Sequence, residues 1–267
     1  MLRLCLSKSS RAFDKGWMPV SNFVVVIPAR YASTRLPGKA LVDLGGKPMI
    51  QHVCERAQAS RARDVVIATD DERIADAAES FGVTVCMTGD HHQSGTERIA
   101  EVADLLDWPD EQIVVNLQGD EPTMPPGLID ECAALLDDAS ADIATLASPF
   151  RSQDDFLNPN CVKVVCDVDG HAIYFSRAAI PYARDGVDER AAGAALHHHG
   201  MYAYRCGVLR RLVSAEPSAI EICEQLEQLR ALSLGMTIAV GIPSVRPGAG
   251  VDTPDDVARA IAELKPA

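Results

Sequence analysis

No two cysteines in this chain stand at C-x-x-C spacing, because the eight, at positions 5, 54, 86, 132, 161, 166, 206 and 223, are scattered without a tight zinc pattern. They read as core thiols of a protein kept in a reducing compartment, so a cytoplasmic location is expected. Positive charge is scarce too: 25 Lys and Arg face 38 Asp and Glu, for a formal net charge of -13. Coating nucleic acid needs a basic face, which excludes nucleic acid as the main partner. No apolar run reaches the roughly 18 residues of a membrane helix, and the stretch 2–6 is broken by Arg3 and too short for a signal-peptide core. No membrane association is expected. G-x-G-x-x-G is absent, and neither Gly38-Lys39 nor Gly46-Lys47 has the earlier Gly or the following Ser/Thr of a Walker A loop. Nicotinamide and ATPase readings lose their main support.

What is present is an ordinary globular chain of 267 residues, 47% hydrophobic, long enough to remove roughly 75% of its unfolded surface from water without disulfides or metal. Residues 1–21, rich in Ser, Arg and Lys and without periodicity, read as a disordered leader. A start codon assigned too early, with Met18 as the start, and an Arg/Ser-rich organelle presequence both account for it. Residues 22–267 read as one domain. Apolar β-branched runs alternate with helical patterns from Phe23 onward, the signature of a mainly parallel sheet covered by helices. Strands are expected at 24–27, 65–69, 83–87, 113–117 and 237–242. Helices are expected at 47–58, with Pro48 in its first turn, and at 71–81, from 94, at 126–138, 219–234 and 254–264. After about residue 140 the rhythm changes, and runs at 162–168 and 171–176 flank Asp169-Gly170, which suits a tight hairpin turn.

The loop Ala29-Arg30-Tyr31-Ala32-Ser33-Thr34-Arg35-Leu36-Pro37-Gly38-Lys39 leaves the first strand with cations and no acid, against the charge of the whole chain. Ligands of open α/β sheets sit beyond the carboxyl ends of strands, where such a loop can neutralise phosphates. Acids also stand at strand ends, as Thr69-Asp70-Asp71 and Gln118-Gly119-Asp120-Glu121-Pro122, with Asp252 further on in Gly250-Val251-Asp252-Thr253-Pro254. Magnesium carrying a nucleotide needs few protein carboxylates, since phosphates and water complete its octahedron. Helix capping explains Asp70 and Asp252 equally well, whereas Asp120, bracketed by Gly119 and Pro122 after an apolar strand, sits at the ligand edge. Ser94-Gly95-Thr96-Glu97 fits a capping box, which leaves Arg98 unexplained beside a helix N-terminus able to take an anion or a base edge. His197-His198-His199 points three ways and lacks a further ligand at metal spacing, so a single imidazole bonding a substrate is the better functional reading.

Together, residues 25–39, Gln93-Ser94-Gly95-Thr96-Glu97-Arg98, Gln118-Gly119-Asp120-Glu121-Pro122, Tyr174-Phe175-Ser176-Arg177 and Gly250-Val251-Asp252-Thr253-Pro254 resemble the 3-deoxy-manno-octulosonate (KDO) cytidylyltransferase family. The resemblance runs from about Phe23 to the C-terminus. It implies a Rossmann-like nucleotide-diphospho-sugar transferase fold of the α/β class, with an inserted antiparallel region at about 150–210 that binds sugar and forms a homodimer. The reaction implied is CTP plus KDO giving CMP-KDO and pyrophosphate, for lipopolysaccharide assembly. Carried over by position, Ala29, Arg30 and Lys39 are triphosphate contacts, Thr96 and Arg98 lie near the nucleotide, and Asp120 and Asp252 hold Mg2+. Lys39, Asp120 and Asp252 form the catalytic set. Gln118, Arg177, His198, Tyr202, Glu227 and Gln228 form the sugar-acid pocket, with His198 chosen because the family places a His two residues before the Gly of Gly200-Met201-Tyr202. Another sugar acid (sialic acid or an 8-amino analogue of KDO) and a noncatalytic nucleotide-binding module are the alternatives.

Overall fold

The structure is a computed structural model describing residues 22–32, 36–137, 141–184, 186 and 192–264. The expected leader at 1–21 lies outside the described residues, as do Ser33, Thr34 and Arg35 of the cationic loop.

Among the described residues nine strands form one sheet: β1 (Phe23–Pro28), β2 (Asp64–Thr69), β3 (Thr84–Met87), β4 (Ile113–Asn116), β5 (Ile143–Pro149), β6 (Lys163–Cys166), β7 (Ala172–Ser176), β8 (Leu196–Arg205) and β9 (Ile238–Gly241). Their order is β3-β2-β1-β4-β8-β5-β9, with β6 pairing β7 and β8. β1 is parallel to β2 and β4, and β2 to β3, while β8 runs antiparallel between β4 and β5. Helices follow as α1 (Met49–Gln58), α2 (Glu72–Ser80), α3 (Gly95–Leu105), α4 (Pro126–Ala134), α5 (Gln153–Leu157), α6 (Cys206–Val213), α7 (Ala219–Glu224), α8 (Gln228–Ser233) and α9 (Pro254–Leu264). None of the described helices is long and apolar enough to cross a membrane.

β1 shows how the sequence fixes the layers. Its side chains alternate, so Val25 and Ile27 join Ile50, Val53, Leu128 and Ile129 of α1 and α4 on one face. Val24 and Val26 join Ile99 and Val102 of α3 and Leu209 and Leu212 of α6 on the other. Covered on both faces, a central parallel strand has to read as an unbroken apolar run. The chain passes from β1 to β2 on one side but places β4 on the other, which opens a crevice beyond the carboxyl ends of β1 and β4.

Three local expectations change. Pro48 is the N-cap of α1 rather than a first-turn residue, since α1 starts at Met49. The β6–β7 connection is a loop rather than a two-residue turn: the Asp167 carboxylate accepts from the amides of Asp169 and His171, and Gly170 takes the positive φ. The single helix expected at 219–234 is two, because Gln225 adopts a left-handed conformation (φ 51) and ends α7. That break turns residues 226–228 toward the crevice side of the sheet.

Candidate active site

The cationic loop closes on Gly38, which is buried and left-handed (φ 65). A Cβ there would meet the Tyr31 ring at 3.2 Å, and the Arg73 guanidinium lies 3.3 Å from that ring's centroid. Glycine allows this close approach, and the 3-10 turn Lys39–Leu41 that follows presents Lys39. Its Nζ stands 2.6 Å from Asp120 Oδ2 and 2.7 Å from Asp252 Oδ1. Burial works against the ammonium, but the two carboxylates outweigh it and hold its pKa above the ordinary lysine value.

Asp120 comes from the turn after β4, where a Cβ on Gly119 would lie 3.0 Å from the Pro28 carbonyl. The turn is therefore pressed against the end of β1. Val251 N donates to Asp120 O at 2.9 Å and stitches the Asp252 loop beside it. Thr253 Oγ1 accepts from Asp256 N and the Asp256 carboxylate accepts from Thr253 N, a reciprocal cap at the start of α9, while the Asp252 carboxylate accepts from Lys39. Asp71, not Asp70, caps α2, and Asp70 lies 3.4 Å from Arg98. Next to Asp120, burial and that neighbouring charge push the Glu121 carboxyl up to about 8.

Two cavities open beside Gln118, two residues before Asp120, and Lys39, Asp120 and Asp252 line neither of them. The larger, about 410 Å³, is lined by Gly95, Thr96, Asn116, Gln118, Asn160, His198, Gly200, Tyr202, Tyr204, Leu226, Glu227 and Gln228, among others. Tyr202 Oη and Gln228 Nε2 are buried without a hydrogen-bond partner, an arrangement that a polar ligand would satisfy. Glu227 accepts from Thr96 Oγ1 at 2.9 Å and from Ser94 Oγ at 3.1 Å. Burial raises its pKa, against the pull of those two hydroxyls. Ser94 Oγ also accepts from Glu97 N, and Glu97 reaches back to Gln93 N rather than to Ser94 N, so the capping box is offset by one residue. The smaller cavity, about 100 Å³, is lined by Pro28, Ala29, Arg30, His92, Ser94, Gly95, Arg98 and Gln118. Ala29 already uses its N-H on Ala68 O, and buried Arg98 donates to Thr88 Oγ1. Gly95 and Gln118 line both cavities.

Strand alternation sorts the three histidines. His198 lines the larger cavity, edge-on to Phe175 at 5.0 Å, whereas His197 stacks on Phe150 and His199 bonds Ser148 Oγ at 2.7 Å. Thr145 Oγ1 is 2.7 Å from Met201 O, which takes its proton, so the 3.0 Å contact with His198 Nε2 has the imidazole donating. Nδ1 of His198 is left as an acceptor. Burial lowers all three imidazoles, His198 to about 3 and His199 to about 4.

Arg177 is the member of the expected sugar pocket that does not line this cavity. Its guanidinium donates to the carbonyls of Glu224, Pro159 and Gln225, behind the wall that carries Glu227. Asn116, Asn160, Tyr204 and His92, paired with Glu101 at 2.5 Å, line the cavities without having been expected. Tyr204 was within reach of period-two reasoning from Tyr202, and Asn160 of the turn signal Asn158-Pro159-Asn160. Among the described residues no group of three or more His, Cys, Asp or Glu could hold a metal ion.

The family profile described as cytidylyltransferase matches residues 24–238. The chain belongs to the cytidylyltransferase family. A 3-deoxy-manno-octulosonate cytidylyltransferase of Vibrio campbellii is 53% identical to this cytidylyltransferase over 239 residues, covering 88% of this chain and 95% of the relative. The solved structure of CMP:2-keto-3-deoxy-manno-octonic acid synthetase complexed with CTP superposes with a TM-score of 0.83 at 41% identity, covering 91% of this chain and 98% of that one. A 4-diphosphocytidyl-2C-methyl-D-erythritol synthase, at 17% identity and a TM-score of 0.62 over 91% of this chain and 99% of that one, shares the fold.

Proposed function

We propose that this cytidylyltransferase transfers CMP from CTP to the anomeric hydroxyl of KDO, releasing pyrophosphate and giving the activated sugar that lipopolysaccharide assembly consumes. The observation that carries the reading is the junction of the two cavities at Gly95 and Gln118, one small and cationic, the other large and lined by hydroxyl, amide and imidazole groups. Their chemistry suits a nucleotide in the first and a polyhydroxy acid in the second, and the relatives at 53% and 41% identity carry names for that reaction.

In the reaction the hydroxyl oxygen of KDO bonds to the α-phosphorus, the bond to pyrophosphate breaks, and the hydroxyl proton leaves. The main tasks for the protein are alignment and neutralisation of charge. Arg30 and Lys39 take the triphosphate, with Ala29 against it, while Arg98 borders the nucleotide and Thr96 stands at the boundary, its hydroxyl on Glu227 of the sugar-acid compartment. Gln118, His198, Tyr202, Glu227 and Gln228 hold the sugar acid, and Arg177 acts on that compartment from behind its wall. Before the substrates arrive, Lys39 keeps Asp120 and Asp252 side by side. With CTP bound, phosphate oxygens compete for the same ammonium and release the two aspartates.

Magnesium fits this pair: two carboxylate oxygens already converge on one positive charge, and carboxylate oxygens are the donors that this ion takes. When bound to Asp120 and Asp252 it supplies neutralisation at the α-phosphate and a lowered pKa for the attacking hydroxyl. A homodimer formed through residues 150–210 accords with exposed Val168, Ile173 and Tyr182 there. Cytoplasmic residence accords with the seven cysteines among the described residues, all free.

The test is pyrophosphate release from CTP with KDO, its 8-amino analogue and sialic acid, each with and without magnesium. Release with KDO that requires magnesium is expected. Preference for another acid would replace the acceptor, and CTP binding without release would make the chain a noncatalytic module.

A further inference from the structure

Lys163, the first residue of β6, has no solvent exposure, and the reaction described above makes no use of it. The register sets it opposite Ser176 of β7 and His197 of β8, and among the described residues no carboxylate pairs with it. A buried ammonium without an ion-pair partner costs folding free energy that a methionine of similar length would avoid. What the ammonium adds is hydrogen bonding: Nζ donates to Asn158 O at 2.8 Å and to Arg177 O at 2.7 Å.

Neither Asn158 nor Arg177 lines the larger cavity, but each is tied to a different wall segment that does. Asn158 begins the turn that carries Asn160, which lines the cavity. Arg177 is bound to the other wall in two ways. Its N-H and Ser176 Oγ donate to the Glu224 carboxylate at 2.9 and 2.6 Å, and its guanidinium donates to the carbonyls of Glu224 and Gln225. Glu227 and Gln228, which line the cavity, follow directly. The chain of contacts therefore runs from Asn160 through Lys163 to Glu227. None of its members lines the smaller cavity.

We propose that Lys163 is a positioning residue for the sugar-acid acceptor, its ammonium joining the Asn158 and Arg177 carbonyls and so setting the gap between the wall of Asn160 and the wall of Glu227 and Gln228. This role rests on the two-compartment reading of the reaction, and it divides the substrates: a change at Lys163 loosens the acceptor and leaves CTP held.

The experiment compares wild type with Lys163→Met and Lys163→Arg in pyrophosphate release, using the sugar acid on which the wild type acts and varying each substrate at saturation of the other. Thermal melting is recorded alongside. Lys163→Met is expected to raise the acceptor KM on the order of tenfold while the CTP KM stays within about twofold, with Lys163→Arg in between because it keeps the donors but not their reach. A lowered melting temperature with both KM values unchanged, an equal rise in both, or a fall in kcat alone assigns Lys163 to structure and overturns the role. If Lys163→Met does not fold, Lys163→Arg alone decides by the same split. A wild type that releases pyrophosphate with no sugar acid overturns the reaction and this role together, whereas an active wild type with unaltered variants overturns the role only.

Discussion

The Lys39 ammonium stands 2.6 Å from the carboxylate of Asp120, a residue 81 positions further along the chain. Asp252, 213 positions away, meets the same ammonium at 2.7 Å. Two carboxylates this close would each resist ionisation of the other without a cation between them. The triad is built from three separate loops: the turn after Gly38, the turn after β4, and the approach to α9. The first two follow β1 and β4, and the third, which follows β9 at the sheet's edge, is brought to them by the bond from Val251 N to Asp120 O.

On the proposed magnesium role, Asp120→Asn and Asp252→Asn are each expected to remove nearly all turnover, because a magnesium site with so few protein carboxylates would not lose one cheaply. Losing one such electrostatic contributor costs about 3 to 4 kcal/mol by analogy with oxyanion-hole donors, a fall of roughly a hundredfold to a thousandfold in kcat. Either change also lowers the Lys39 pKa, since burial then meets less opposition. Rates at several magnesium concentrations check both aspartates, and near-wild-type turnover in a variant would remove that residue from the metal site.

Acid should weaken the fold through the β8 histidines. Burial holds His198 at about 3 and His199 at about 4, against the ordinary 6.5 of an unfolded chain. Above 6.5 both states are neutral and nothing changes. As pH falls below it the unfolded chain gains protons that the folded chain refuses, so stability drops until about 4, where the folded imidazoles begin to titrate. Urea midpoints at pH 7.5, 6 and 5 should decline in wild type and decline less in His199→Leu. Parallel declines in the two proteins would place the acid sensitivity elsewhere.

The parallel half of the sheet was legible because its strands are apolar runs cut off by Gly, Pro or Asp, and the helix starts at Asp71 and Ser94 carry local caps. β5 and β8 were not legible. β8 contains three histidines and Gly200, and its register slips between Thr145 and Leu146 of β5, so only pairing to strands far away in sequence makes it a strand. The break at Gln225 was hidden for a similar reason, since 219–234 has continuous helical periodicity. At the site, capping and metal binding could not be separated for Asp252 from sequence. In the structure the cap is formed by Thr253 and Asp256. Lys163 and Arg177 bond backbone carbonyls, which leave no mark in a side-chain pattern.

Thr96 should tune Glu227. Its hydroxyl donates to the buried carboxyl and pulls the pKa down against burial, so Thr96→Val leaves Ser94 as the remaining hydroxyl donor and moves the pKa up. A hydrogen bond to a charged group contributes about 1.5 to 3 kcal/mol, so kcat/KM for the sugar acid near pH 7 should fall on the order of tenfold. Its acid limb should move to higher pH. Thr96→Ser, which keeps the hydroxyl, should restore most of both. A pH profile unchanged in Thr96→Val would sever Glu227 from acceptor binding.

Arg177 carries the last prediction. Its Nε donates to Glu224 O at 2.7 Å, with further bonds to Pro159 O at 3.2 Å and Gln225 O at 3.4 Å, so the planar fork ties the 158–160 turn to the segment entering Glu227. Removing it in Arg177→Ala frees both walls of the acceptor compartment, and the KM for the sugar acid should rise well beyond any change in the KM for CTP. Arg177→Lys keeps one charge and can satisfy fewer carbonyls, so its rescue should be partial. An acceptor analogue with the carboxylate reduced to an alcohol separates two roles for the fork. If the guanidinium works through the walls, Arg177→Ala weakens the acid and the alcohol by the same factor. A loss confined to the acid would mean that, with substrate bound, the guanidinium leaves those carbonyls to grip the carboxylate.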